Sequence, residues 1–163
     1  MLRKILTLSL YVLLAVAHAQ ASLSKTEAAG PRIEKVRTTA YTYGAAENGA
    51  YPSSNAVGKP LKAGKVRSAA ADWSRWPLGT RFRVVQTGQE YVVDDIGGAM
   101  VGTGTIDLFK PSRREMNRWG VRKVTIEIIE WGSPEKSLQI LLPRKRNRHV
   151  REMVEDLLEQ RSA

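Results

Sequence analysis

Cysteine is absent from the 163 residues, and histidine occurs only as His18 and His149. Without cysteine the chain has no disulfide, no thiol nucleophile and no lipid attachment through sulfur. A Cys/His zinc site, a Cys-His pair and a Ser-His-Asp triad all lack their residues. The fold must hold by its core alone, and if the chain is an enzyme, carboxylates carry its proton transfers. Aspartate itself is scarce. Of five, Asp72, Asp94, Asp95 and Asp107 fall in one stretch, and Asp156 lies in the tail.

The start of the chain reads as a secretory signal peptide over residues 1–19. Arg3 and Lys4 precede an apolar run from Ile5 to Ala17 that is short for a bilayer span, and Ala17-His18-Ala19 is a small-x-small cleavage site. The other reading is an uncleaved N-terminal anchor. Cleavage after Ala19 removes two of the 26 basic residues and none of the 16 acidic ones, lowering the net charge from +10 to +8. A protein so basic is drawn to polyanions. For an exported chain, placed in the periplasm, envelope or exterior, cell-wall polymers and anionic envelope surfaces are more natural partners than nucleic acid. What remains is long enough for one compact domain.

Residues 20–34 read as a linker and 35–131 as the domain. Lys35–Thr42 reads as a strand, Tyr43–Lys65 as a long polar loop, and Val66–Ala71 as a short apolar strand. Trp76-Pro77-Leu78-Gly79 fits a type I turn. Arg81–Gln86 and Glu90–Asp94 form a hairpin across Thr87-Gly88-Gln89, and Thr105–Phe109 is another strand. Ser112-Arg113-Arg114-Glu115 is a capping box, opening a helix that runs to Trp119 and stops at Gly120. Val121–Ile129 alternates as a half-buried strand, with Val124, Ile126 and Ile128 on its apolar face. Ser137–Leu142 is expected to add one more. Many short strands with one short internal helix indicate an all-β fold, a small barrel. Residues 132–163 form a basic extension. In it Val150, Met153, Val154, Leu157 and Leu158 make one apolar helical stripe. Arg144, Lys145, Arg146, Arg148 and Arg151 crowd the start of that helix, where positive charge opposes the dipole. Docking accounts for the stripe, and an anionic surface for the charge.

The stretch Val92–Phe109 places Asp94, Asp95 and Asp107 among Gly97, Gly98, Gly102 and Gly104. A carboxyl group held among apolar walls has its pKa raised and can donate a proton near neutrality. Aspartate with glycine also makes ordinary turns. Gly97 and Gly98, lacking side chains, allow a ligand close to the backbone. Trp73 and Trp76 are candidates for stacking on sugar rings or for core, whereas Trp119 and Trp131 are assigned to the core.

Several motifs, taken in order, resemble the 3D domain, named for three aspartates. They are Thr39-Ala40-Tyr41, Ala71-Asp72, Pro77-Leu78-Gly79-Thr80, Asp95-Ile96-Gly97-Gly98-Ala99-Met100-Val101-Gly102, Ile106-Asp107-Leu108-Phe109 and Trp119-Gly120-Val121-Arg122-Lys123-Val124. That domain occurs in the catalytic core of membrane-bound lytic transglycosylase A and in small secreted wall proteins of the stationary-phase survival and resuscitation-promoting type. The resemblance covers Val36–Trp131 and implies a six-stranded double-psi β-barrel. It implies cleavage of the β-1,4 bond between N-acetylmuramic acid and N-acetylglucosamine in peptidoglycan, with a 1,6-anhydro product. No cofactor or metal is expected. By position it makes Asp107 the catalytic acid. Asp95 and Asp72 would support it, and Thr39, Tyr41, Gly97 and Gly98 would contact glycan. Asp94 falls outside the pattern. The chain departs from the family at Ile96, where threonine is common, and at Met100-Val101-Gly102, where Ile-Lys-Gly is common. Three readings stand at this point: a lytic transglycosylase; a non-catalytic, expansin-like barrel that binds wall glycan; and a basic nucleic-acid binder, which the export signal and the acidic residues of the groove oppose.

Overall fold

The computed structural model describes residues 32–43 and 54–162. The signal segment, the linker up to residue 31 and the middle of the loop after Tyr43 lie outside the described residues. Six strands are present: β1 (Arg32–Tyr41), β2 (Val66–Ala71), β3 (Arg81–Val84), β4 (Glu90–Ile96), β5 (Thr105–Phe109) and β6 (Arg122–Glu130). They close into one barrel in the order β1-β5-β2-β4-β3-β6. The pairs β1/β5 and β2/β4 are parallel, and the others antiparallel. Exchanging β1 with β4, β2 with β5 and β3 with β6 maps this order and every strand direction onto itself. The fold is a pseudo-twofold double-psi β-barrel.

Alternation along the strands fills the interior. Phe82 stacks on Tyr91 at 5.6 Å between ring centroids, and Val93, Ile106, Leu108 and Ile126 are fully buried beside them. The expected strand near Val121–Ile129 is β6, and Val124, Ile126 and Ile128 point inward. Helix α1 (Arg113–Trp119) begins where the capping box places it: Ser112 Oγ accepts from the Glu115 amide. The Glu115 carboxylate does not reach back; it pairs with Arg67 at 3.0 Å. Gly120 ends the helix at φ +58°, in the left-handed region that glycine favours.

Four local expectations change. The strand expected at Ser137–Leu142 is instead helix α2 (Pro134–Leu141). Ser133 caps it by accepting from the Lys136 amide, and Pro134 at the first turn loses no hydrogen bond there. The turn after Trp76 lies one residue later. Thr80 N donates to Pro77 O at 2.9 Å, and Gly79 takes φ +95°, as a type II turn demands at its third position. Strand β3 stops at Val84, because Thr87 and Gly88 fold back onto the Val84 carbonyl. Strand β1 starts at Arg32, where Arg32 pairs with Ile128, so Arg32–Glu34 are strand rather than linker.

The tail forms helix α3 (Arg148–Ser162), with Val150, Met153, Val154 and Leu157 buried and Leu158 exposed. These side chains and Leu138 and Leu141 of α2 join the same apolar cluster as the barrel, together with Trp73 and Trp76. The Trp73 amide donates to Met153 Sδ at 3.3 Å.

Candidate functional site

Four residues line up across the outer wall of the barrel. Asp95 on β4 pairs with Ala70 on β2, Ala70 with Asp107 on β5, and Asp107 with Thr39 on β1. Leu108 and Ala69, one step along, face the interior and are fully buried, so the Ala70–Asp107 row faces outward. Asp95 and Asp107 therefore stand two strand spacings apart, about 10 Å between backbones, with Ala70, itself buried, on the strand between them.

A bulge in β4 puts Asp95 in this row. Tyr91 and Val93 point inward, and strict alternation would send Asp95 inward as well. The register instead jumps from Ala69↔Val93 to Ala70↔Asp95, leaving Asp94 as the extra residue. Such a bulge re-aims the residues that follow it. Asp94 is buried and held in place: Lys62 Nζ donates to its Oδ2 at 2.6 Å and Ser68 Oγ at 3.1 Å.

The two outward carboxylates differ in their partners. Asp95 Oδ2 accepts from the Tyr41 hydroxyl at 3.1 Å, and Oδ1 from the Ile96 amide at 2.9 Å. Its backbone carbonyl accepts from the Trp73 indole at 2.9 Å. Asp107 Oδ1 accepts from Thr39 Oγ1 at 2.7 Å. Burial pushes both carboxyl groups above their usual value. For Asp95 the Ile96 amide and Tyr41 hydroxyl oppose the rise, and Asp94 adds to it. For Asp107 only the Thr39 hydroxyl opposes it, and the Asp95 charge adds a smaller push. Burial, then the neighbouring Asp95 charge, raises the Tyr41 phenol far above its usual value, so it stays a donor.

Asp95, Asp107, Thr39 and Tyr41 are thus brought together. Asp72 is engaged elsewhere. Its Oδ1 accepts from Ser74 N at 2.9 Å and Ser74 Oγ at 2.6 Å, and its Oδ2 accepts from Gly102 N at 2.9 Å. It ties the glycine-rich loop after β4 to the end of β2. Gly97 and Gly98 are crowded by this chain's own side chains. A Cβ at Gly97 would meet Met100 Cγ at 2.7 Å, and one at Gly98 would meet His149 Cδ2 at 2.8 Å.

Trp73 and Trp76 are fully buried, which removes them as stacking platforms; α2 and α3 enclose the turn that carries them. Trp131, expected in the core, is 41% exposed, and the Arg32 guanidinium lies over its ring at 4.9 Å. Trp119 is half-buried and packs against the core. The Lys62–Asp94–Ser68 clamp and the seat of His149 over Gly98 have no signal in the sequence. Each joins positions far apart in the chain.

Residues 67–130 match the 3D domain. The match runs from the second residue of β2 to the end of β6 and includes Asp72, Asp95 and Asp107. Strand β1, with Thr39 and Tyr41, lies outside it, as do α2 and α3. The cell wall-binding protein YocH of Bacillus subtilis (strain 168) is 35% identical over 95 residues, covering 58% of this chain and 31% of the relative. This chain thus spans under a third of that relative's length. Among solved structures, the crystal structure of MltA from E. coli is 22% identical, covering 51% of this chain and 29% of that one, with a TM-score of 0.38.

Proposed function

We propose that this 3D-domain protein is exported to the cell envelope and binds peptidoglycan glycan strands along the Asp95–Asp107 row. The observation that carries the binding reading is the 95-residue similarity to a cell wall-binding protein. The row suits a glycan chemically. Its two carboxylates can accept from sugar hydroxyls. The net charge, +10 for the whole chain and +8 once residues 1–19 are removed, supports attraction to a polyanionic wall.

A second reading adds cleavage, and the state of Asp107 favours it. This carboxyl is raised by burial and held by a single hydroxyl, the condition of a general acid. Protonated Asp107 gives its proton to the glycosidic oxygen as the C1–O bond breaks. The muramic acid C6 oxygen attacks C1 and passes its own proton to Asp107, which is regenerated. No water is consumed, and the product is a 1,6-anhydro end. Asp95, fixed by Tyr41 and the Ile96 amide, orients the sugar. Asp72 acts at a distance by holding the loop at Gly102.

The test is sedimentation of the protein with insoluble peptidoglycan, followed by mass spectrometry of the soluble products, for the wild type and Asp107→Asn. Co-sedimentation of both is expected, with anhydro-muropeptides from the wild type alone. Failure of the wild type to sediment would overturn the binding reading. Binding without anhydro products would remove cleavage and leave a glycan-binding barrel.

A further inference from the structure

The acidic row uses the outer wall of the barrel; one open end of the same barrel has a different chemistry. Continuing the β2/β5 register beyond Ala69↔Leu108 brings Arg67 opposite Lys110, on the inward side. Both close the end of the barrel above Tyr91. Lys110 is 5% exposed, and its Nζ donates to the Tyr91 hydroxyl at 2.7 Å. The same ammonium lies 3.9 Å from the centre of the Trp119 ring. Above it is a cavity of about 360 Å³ lined by Thr87, Lys110, Glu115, Arg118, Trp119 and Arg122.

The charges in this cavity do not balance. Glu115 is taken up by Arg67. Among the described residues, no carboxylate pairs with Lys110, Arg118 or Arg122. Arg122 donates to the Arg118 and Trp119 carbonyls, which fixes its guanidinium over the Trp119 ring at 4.5 Å. Arg67 Nε is buried without a hydrogen-bond partner among the described residues. A buried ammonium is costly unless an opposite charge meets it. Among the described residues this ammonium touches a phenol and an aromatic face, and Glu115 acts on it from farther away. Barrel mouths are recurrent sites for small ligands.

We propose that this barrel end is an anion-binding pocket for the terminal carboxylate of a short peptide. The carboxylate sits at Lys110 Nζ between Arg118 and Arg122, and the adjoining residue lies against Trp119. A chain end suits the pocket better than a polymer interior, because Lys110 and Tyr91 form a closed floor beneath it. The inference is independent of whether the acidic row binds or cleaves glycan.

The probe is an N-acetylated dipeptide acid, with its C-terminal amide and inorganic phosphate as comparisons. Each is titrated into the full protein while the Trp119 indole resonance is followed by NMR, assigned with Trp119→Phe. Saturable shifts with the acid and none with the amide are expected. Loss of one charge-assisted contact in Lys110→Met should weaken binding about tenfold. Arg118→Ala, on the exposed side of α1, should weaken it about threefold. It serves if Lys110→Met does not fold. Burial, followed by the nearby Arg67 charge, lowers Lys110 to about 8, while Glu115 opposes the shift. Tyr91, raised by burial to about 12, stays protonated there. Affinity should therefore fall as pH rises through about 8, where Lys110 loses its charge. Equal response to acid and amide, or no response to the acid up to its solubility, would overturn the proposal. Saturable binding of phosphate without the dipeptide acid would overturn the choice of a peptide carboxylate.

Discussion

Asp107 illustrates what a single residue carries and what it costs. Unfolded, its carboxyl loses its proton near the ordinary value; folded, burial keeps the proton on to higher pH. Between those two values the native state binds more protons, so stability falls as pH rises through the window, and above it the penalty is complete. Asparagine at this position keeps the Thr39 hydrogen bond and removes the charge. Asp107→Asn should therefore be more stable than the wild type at pH 7 by about 1 kcal/mol. The gap should close near about pH 3, where both states of the wild type are protonated. Thermal melts across that range check it; a variant that melts lower at pH 7 would mean that the charge is well solvated. The sequence could nominate Asp95 and Asp107, and Thr39 and Tyr41 beside them, because they sit in recognisable motifs. It could not separate the two acids. That distinction lies in Tyr41 and the Ile96 amide on one side and Thr39 alone on the other, partners from other strands or from the bulge.

The element that decides the site is the bulge in β4. Alternation along Glu90–Ile96 reads as a plain strand and would bury Asp95; nothing in the local pattern marks Asp94 as supernumerary. Its marker is tertiary, the Lys62 ammonium reaching Asp94 from the loop before β2. Lys62→Met leaves a buried carboxylate with only the Ser68 hydroxyl. Because the lysine is itself 47% exposed, the loss should be about 1–2 kcal/mol rather than that of a fully buried pair. Urea unfolding at neutral pH measures it, and an unchanged midpoint would mean that the bulge is held by backbone pairing alone. Strands β2, β5 and β6 and helix α1 were legible because short apolar runs, alternation and a capping box leave local signatures. Helix α2 was not: Leu138, Ile140, Leu141 and Leu142 suit a strand as well as a helix, and the signal that decides lies upstream, at Ser133-Pro134.

For the molecule as a whole, composition and motif order anticipated the barrel, and no local signal showed that the tail helix would complete its core. The stripe on α3 indicated burial without saying against what. In the structure Met153 meets the Trp73 amide, and Gln160 Nε2 donates to the Ser74 carbonyl. Four buried side chains at about 2 kcal/mol each amount to about 8 kcal/mol, comparable with the stability of a whole domain. Deletion from Arg148 onward should therefore abolish cooperative melting and the near-ultraviolet dichroism of Trp73 and Trp76. A truncated protein that still melts sharply would show the helix to be dispensable. Barrel closure also has a kinetic side. Thr39 meets Asp107 across 68 positions, and β1 is flanked by β5 and β6. The first strand cannot find its neighbours until the last has been synthesised. Pairing over such separations is slow, because loop-closure entropy precedes any gain. The nascent chain thus stays open until nearly all of it exists, the state in which a polypeptide can be threaded through a narrow pore.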